Sequence, residues 1–222
     1  MDWMGVPDAA ERLDVSPARV RVLIHRGDLV AEQVSGRWLI DPDSVERVAA
    51  RPRRAGRPFD PRAAWGLLAM ADGRSPDWLA TSERSRLEEV LVSRGVLDLA
   101  GQLGRRAVVE HWHVHPSLLD RVAAEDDVVV AGPRGSDELA GDRSGLEVYV
   151  RPDVAAHLRD TYRPQESARD ANLVVRVIEG PWPFARDDRR AWPSVVAVDL
   201  LEEHPEDPRC RDVALRMLAD RA

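Results

Sequence analysis

The chain has 222 residues, of which 44% are hydrophobic and 32% charged, and a formal net charge of −7. Such a size and composition suit a soluble globular protein of two domains and argue against a disordered chain. No apolar run approaches the length of a membrane span, and the amino terminus lacks the basic-then-apolar order of a secretory signal. The lone cysteine, Cys210, has no partner for a disulfide or a cysteine metal site, so a reducing cytoplasm is the expected setting.

The charge is unevenly placed. Residues 1–58 carry ten Arg against nine Asp and Glu, a balance of +1, and residues 59–222 carry 22 against 30, a balance of −8. All 32 basic residues are Arg, which we read mainly as the coding bias of a GC-rich genome.

From Val6 the chain reads VPDAAERL, with Ala9, Ala10 and Leu13 at helical spacing and Asp14 opening a tight turn. Ser16 is placed to cap a second helix, Pro17 suits its first position, and Gly27 supplies a left-handed stop. Val20, Leu23 and Ile24 then face inward, which leaves Ala18, Arg19, Arg21, Val22, His25 and Arg26 on or near the outer face. A helix presented in this way across a tight turn has the geometry of one that enters a major groove. Two strands follow, 30–34 and 37–40, joined by Ser35-Gly36 in a hairpin that forms a wing. Asp41 or Asp43 with Pro42 starts a further helix, in which Val45 and Val48 turn back to the core, and this first unit closes near Ala50.

The segments VPDAAERLDVS, VLIHRGDL and GRWLI resemble the excisionase and MerR-like winged helix-turn-helix family over about a quarter of the chain. The resemblance implies that the second helix reads bases of double-stranded DNA and that the wing touches the backbone. Arg19, Arg21, Arg26 and Arg37 are the leading positions, and Ser16, Ala18, Val22 and Ser35 are the others expected at the interface. Arginine suits both tasks because its fork is bidentate to guanine and to phosphate. A nearly neutral reading head supports few phosphate contacts, so a homodimer on repeated half-sites is expected. A helix-turn-helix used only for protein docking is the alternative.

Residues 51–59 read as a basic linker, RPRRAGRP up to Pro58. Gly56-Arg57-Pro58 resembles part of an AT-hook, with Ala55 where such a hook carries its first Arg. Arg53, Arg54 and Arg57 are therefore candidate DNA contacts, against the alternative of a solvated linker. Residues 60–106 form a helical connector. Asp60-Pro61 opens a helix with Ala64, Leu67, Leu68 and Met70 on its apolar face, ending at Gly73, and Ser82 opens another with Leu87, Val90 and Leu91, ending at Gly95.

Residues 107–222 alternate strands with helices. Strands are predicted at 107–115, 128–131, 146–150 and 173–178, and helices at 116–124 and 152–162. Pro181–Phe184 and Trp192-Pro193 read as loops, and the last stretch as two helices broken at 204–207. The tryptophans are expected to plug the core. The fold class is therefore α+β: an N-terminal winged helix-turn-helix at 1–50, the linker, the connector, and a C-terminal mixed α/β effector domain.

Three places in this domain could carry chemistry. His111, His113 and His115 alternate along a strand, which would set their imidazoles on one face about 7 Å apart. Neighbouring ligands on one strand do not close a tetrahedron unaided, so a cap or exposed strand is the expected reading and no metal or other cofactor is assigned. Gly135-Ser136 followed by LEVYV resembles the nucleotidyltransferase pattern of a Gly-Ser turn and two carboxylates on the next strand. Tyr149 stands at the second of those positions, and Glu147 alone cannot bridge two metal ions, so no enzyme activity is expected. No Ser or Cys lies in a Gly-x-Ser-x-Gly elbow.

The stretches VVVAGPRGSDELAG, LEVYVRPDVAAHL, ANLVVRVIEGPWPF and PSVVAVDLLEEHPEDPRCRDVALRML resemble the antitoxins of type IV abortive-infection systems, the AbiEi-like family, over roughly residues 105–222. Tyr149, Asn172, Asp199–Leu201 and Asp207–Arg209 carry the resemblance. It implies a repressor of its own operon that opposes a nucleotidyltransferase toxin encoded beside it. A one-component regulator that senses a small molecule is the second expectation, and an excisionase-like architectural protein the third.

Overall fold

The computed structural model describes residues 3–25, 27–34, 36–50, 57–139, 141, 144–166, 170–204 and 207–219. The fold is α+β, with a helix-turn-helix head followed by a mixed α/β part.

In the head, α1 (Val6–Leu13) and α2 (Pro17–His25) are separated by a turn in which Asp14 takes the left-handed conformation. The strands β1 (Ala31–Val34) and β2 (Arg37–Ile40) pair as an antiparallel hairpin, and α3 (Pro42–Ala50) follows. Its core joins Ala9, Ala10 and Leu13 to Val20, Leu23, Ile24, Leu29, Ile40 and Val45. The first strand starts one residue later than the alternation predicts, because the Val30 N–H donates to Ser44 Oγ (3.1 Å) rather than to a ladder. Arg12 holds Glu46 through two bonds of 2.6 and 2.5 Å, tying α1 to α3.

Two helices follow, α4 (Pro61–Ala71), capped by Asp60, and α5 (Thr81–Leu99). The sequence predicts one apolar face for α4, but the residues from Ala63 to Ala69 are buried all round, because other helices pack on the side expected to meet solvent. Gly95, at φ +70°, kinks α5 where an end was expected, and the helix resumes to Leu99.

The α/β part runs β3 (Val108–His113), α6 (Leu119–Ala124), β4 (Val129–Ala131), α7 (Gly132–Gly135), β5 (Leu146–Val150), α8 (Pro152–Tyr162), β6 (Gln165–Glu166), β7 (Leu173–Val177), α9 (Pro193–Glu203) and α10 (Pro208–Ala219). Among the described residues the sheet order is β4-β5-β7-β3-β6, with β5 and β7 parallel and the other pairs antiparallel. Period-two alternation splits its faces. Leu146, Val148 and Val150 with Leu173, Val175 and Val177 meet α6 and α8 on one side. Glu147, Tyr149 and Arg176 point to the other side, which α9 covers.

Three expectations need correction. The strand with the histidines ends at His113, and His115 instead accepts a bond from Ser117 N (3.3 Å) at the start of a turn led by Pro116, so the three imidazoles do not share a strand face. Trp192-Pro193 is not a loop: Trp192 caps α9 and Pro193 is its first residue, where the missing N–H costs nothing. Trp65, Trp112 and Trp192 plug the core as expected, whereas Trp78 and Trp182 are only partly buried.

Beneath α9 lies a buried ionic layer. Arg106 pairs with Asp199 and with Glu202 (2.9 Å) and donates to Tyr149 Oη (2.9 Å), which donates to Asp199 Oδ1 (2.7 Å). Arg176 pairs with Glu147 (3.0 Å) and Glu203 (3.4 Å), and Glu147 Oε1 meets His204 Nε2 at 3.0 Å. Burial raises the Asp199 carboxyl above its ordinary range, although both arginines pull it the other way.

For His204 burial is the largest influence and favours the neutral ring, but the hydrogen bond and charge of Glu147 outweigh it, so its value rises above 6.5. For Glu147 burial is again the largest influence, yet His204 and Arg176 together bring it below 4.5. His204 therefore stabilises the fold fully below pH 6.5 and loses this as pH rises through its folded value. Glu147 does so fully above pH 4.5 and loses it as pH falls through its folded value. The stability gap between the protein and its His204→Gln variant, read from urea midpoints, should be widest between those two values and should narrow on either side. A gap that does not vary with pH would show that the pair is not ionised.

Candidate nucleic-acid interface

The face predicted to read DNA is built from α2 outward. Ser16 Oγ accepts from Arg19 N (3.2 Å), satisfying one of the amides that the first helical turn leaves without a partner. Val20, Leu23 and Ile24 anchor the helix in the head core. Their burial turns Ser16, Ala18, Arg19, Arg21 and Val22 to solvent, and Val22 is 44% exposed. An outward valine between arginines is an apolar surface of the kind that meets a thymine methyl.

The hairpin lies beside this helix. Arg37 is exposed at its tip, next to Gly36 at φ +78°, and Val34 is 49% exposed. Trp38 on β2 meets the His25 ring edge-on with 5.8 Å between centroids, and His25 Nδ1 lies 2.6 Å from Arg21 O. His25, which the sequence places on the outer face, thus has a bracing role: it joins the end of α2 to the wing and sets their angle. Trp38 was not singled out from the sequence. The signal for it was its place opposite Gln33 in a hairpin whose neighbouring positions alternate.

Of the remaining candidates, Arg57 is exposed. Arg26, Ser35, Arg53 and Arg54 lie outside the described residues.

The head rests on the α/β part at one tight point. Trp112 O accepts from Asn172 N on the β7 side, so strand alternation directs the Val109 carbonyl to the opposite edge of β3. On that edge, among the described residues, β3 pairs with β6 at Trp112 and His113 alone. Gly27, at φ +72°, lies against the Val109 oxygen so closely that a β-carbon there would stand 2.1 Å from it. The turn after α2 therefore lies against this edge of β3, while Ala18, Arg19, Arg21 and Val22 stay exposed.

The positions that carry the antitoxin resemblance have structural partners. Tyr149 and Asp199 bond each other, Asn172 bonds the backbone of Val114 at both ends of its amide (3.0 and 2.8 Å), and Asp207 accepts from Arg209 N (2.8 Å). Both oxygens of Glu147 are engaged, by Arg176 and His204. Cys210 is buried, and burial followed by the Asp207 charge pushes its thiol up to about 11.

Among the described residues no helix is long and apolar enough to cross a membrane. No curated protein and no solved structure matches the chain. Residues 3–53 match the family model of a helix-turn-helix domain, so the N-terminal part of this chain is a helix-turn-helix DNA-binding domain.

Proposed function

We propose that the chain is a sequence-specific transcription regulator that works in the cytoplasm as a homodimer and represses its own operon, with an α/β part of the antitoxin type that opposes a nucleotidyltransferase-like toxin. The observation that carries the DNA part is the outward face of α2, where Arg19, Arg21 and Val22 are exposed on a helix capped by Ser16 and braced by Trp38. The recognition helix reads bases in the major groove, and the wing and linker arginines fix register on the backbone. No catalytic step belongs to this reading. Its antitoxin part is supported by the sequence resemblance at Tyr149, Asn172, Asp199–Leu201 and Asp207–Arg209.

Sites selected from random duplexes test the first part. Arg19→Ala or Arg21→Ala should flatten the preference among sequences, each costing about 1–3 kcal/mol at its base pair. Arg37→Ala should weaken all duplexes alike and lower the salt slope by about one. If both kinds of variant behave alike, the division between base-reading helix and backbone-clamping wing is wrong. Growth on induction of the neighbouring gene product tests the second part: rescue by the chain is expected, and absence of toxicity or of rescue would remove it.

A second reading is a regulator that senses a small molecule. A cleft of about 520 Å³ between the head and the sheet favours it. Pockets of this size at the junction of two packed units are where small ligands commonly bind.

A further inference from the structure

We propose that the cleft between the helix-turn-helix head and the sheet is a binding site for a small organic cation bearing an ammonium or guanidinium group. Its floor is a cross-strand row, Glu147 on β5 beside Val174 on β7 beside His111 on β3, set by the register of the three strands. This row is the part of the charged sheet face that α9 leaves open as it ends at Glu203. One wall is therefore Glu203, His204 and the nearby Asp170, and the opposite wall is the start of α3, with Asp41, Asp43 and Arg47. Trp3, Pro42 and Val174 add apolar surface between the charged groups.

Three features choose the ligand. Among the described residues five carboxylates line the space, namely Asp41, Asp43, Glu147, Asp170 and Glu203, against Arg47 on the lining, which pairs with Asp41 (3.7 Å), and Arg176 behind it, which pairs with both Glu147 and Glu203. With His204 protonated the balance still favours a cation. His111 is half-buried, has no hydrogen-bond partner among the described residues, and is kept towards its neutral form chiefly by burial. A neutral imidazole facing a cleft has a ring nitrogen that can accept an N–H. Among the described residues no three His, Cys, Asp or Glu side chains converge to hold a metal ion, so the negative charge is spread along the walls. Spread charge with aromatic and aliphatic surface between suits an amine on a short hydrocarbon stem, which Trp3 can also meet through its ring face.

Such a ligand would touch the head and the sheet at once and hold α3 against β3 and β7. The inference deepens the sensing role and rests on it only for the consequence at DNA. Calorimetry on the full chain with putrescine and with agmatine, at constant ionic strength, tests it directly. Saturable binding is expected for at least one, weakened about tenfold or more by Asp43→Asn on the head side and by Asp170→Asn on the sheet side. Both carboxylates are exposed, so these variants should fold, and their melting temperatures check this. Arg19→Ala should bind the amine as the parent does, which separates failure of this site from failure of the DNA reading. No saturable binding of either amine, or affinities that neither carboxamide variant changes, would overturn the proposal.

Discussion

Replacing Arg106 by alanine is expected to lower the unfolding free energy by about 3–5 kcal/mol, the usual penalty for breaking a buried ion pair from one side. The side chain is 2% exposed and answers three groups at once, Asp199, Glu202 and the Tyr149 hydroxyl. Without it, Asp199 is left to share Arg176 with Glu147 and Glu203, Glu202 loses its ion pair with Arg106, and Asp199 Oδ2 already has no hydrogen-bond partner among the described residues. Urea unfolding at neutral pH measures the loss. Arg106→Lys should fall between the two, since it keeps a charge but loses the fork that reaches Tyr149 and both carboxylates together. Mild acid should restore part of the stability of the alanine variant by neutralising carboxyls that no longer have a cation. A loss below about 1 kcal/mol would mean that the layer is hydrated and worth no more than a surface pair.

Gly27→Ala should be the other severe change, and its control is built into the head. Gly27 and Gly36 have nearly the same backbone, at φ +72° and +78°. At either position a side chain costs about 1–2 kcal/mol for the left-handed conformation. Around Gly36 a β-carbon meets nothing within 4 Å, whereas at Gly27 it would meet the Val109 oxygen at 2.1 Å and its carbonyl carbon at 3.1 Å, both backbone atoms that cannot rotate away. Relief requires the head to lift from β3, adding about 1–3 kcal/mol of misfit. Gly36→Ala should therefore lower the melting temperature slightly, and Gly27→Ala should lower it further and also speed amide exchange at Val109 and His111. Equal effects of the two substitutions would mean that the head does not rest on the sheet edge in solution.

The head was legible because its signals are local. Ser16 before Pro17, the spacing of Val20, Leu23 and Ile24, and Gly36 in the hairpin each act within a few residues, and together they define α2 and its outward face. The long strands were legible for the same reason, since LEVYV and LVVRV state their own period. The ionic layer was not, because its bonds join residues far apart along the chain: 43 for Arg106 and Tyr149, 93 for Arg106 and Asp199, and 29 for Arg176 and Glu147. Arg106 reads as the end of a connector and Tyr149 as a missing metal ligand until register brings both to Asp199. The two-residue β6 has no pattern to read, and Pro193 resembles a loop residue unless a helix is known to start there. The cleft is also a product of packing: His111 reads as one of three histidines in a row, and its neighbours across the strands come from elsewhere in the chain.

The contact of the turn at Gly27 with the edge of β3 bears on any attempt to cut the chain in two. Among the described residues no strand lies beside the outer edge between Val108 and His111, and Val108 is 38% exposed even with the head in place. A fragment beginning after residue 58 would present that edge bare, as a template onto which another copy can add its own strand. Self-association would then follow from the cut itself rather than from any native dimer contact. Behaviour of a headless fragment in growth or binding assays reports on the α/β part only after its mass in solution has been shown to be that of one chain.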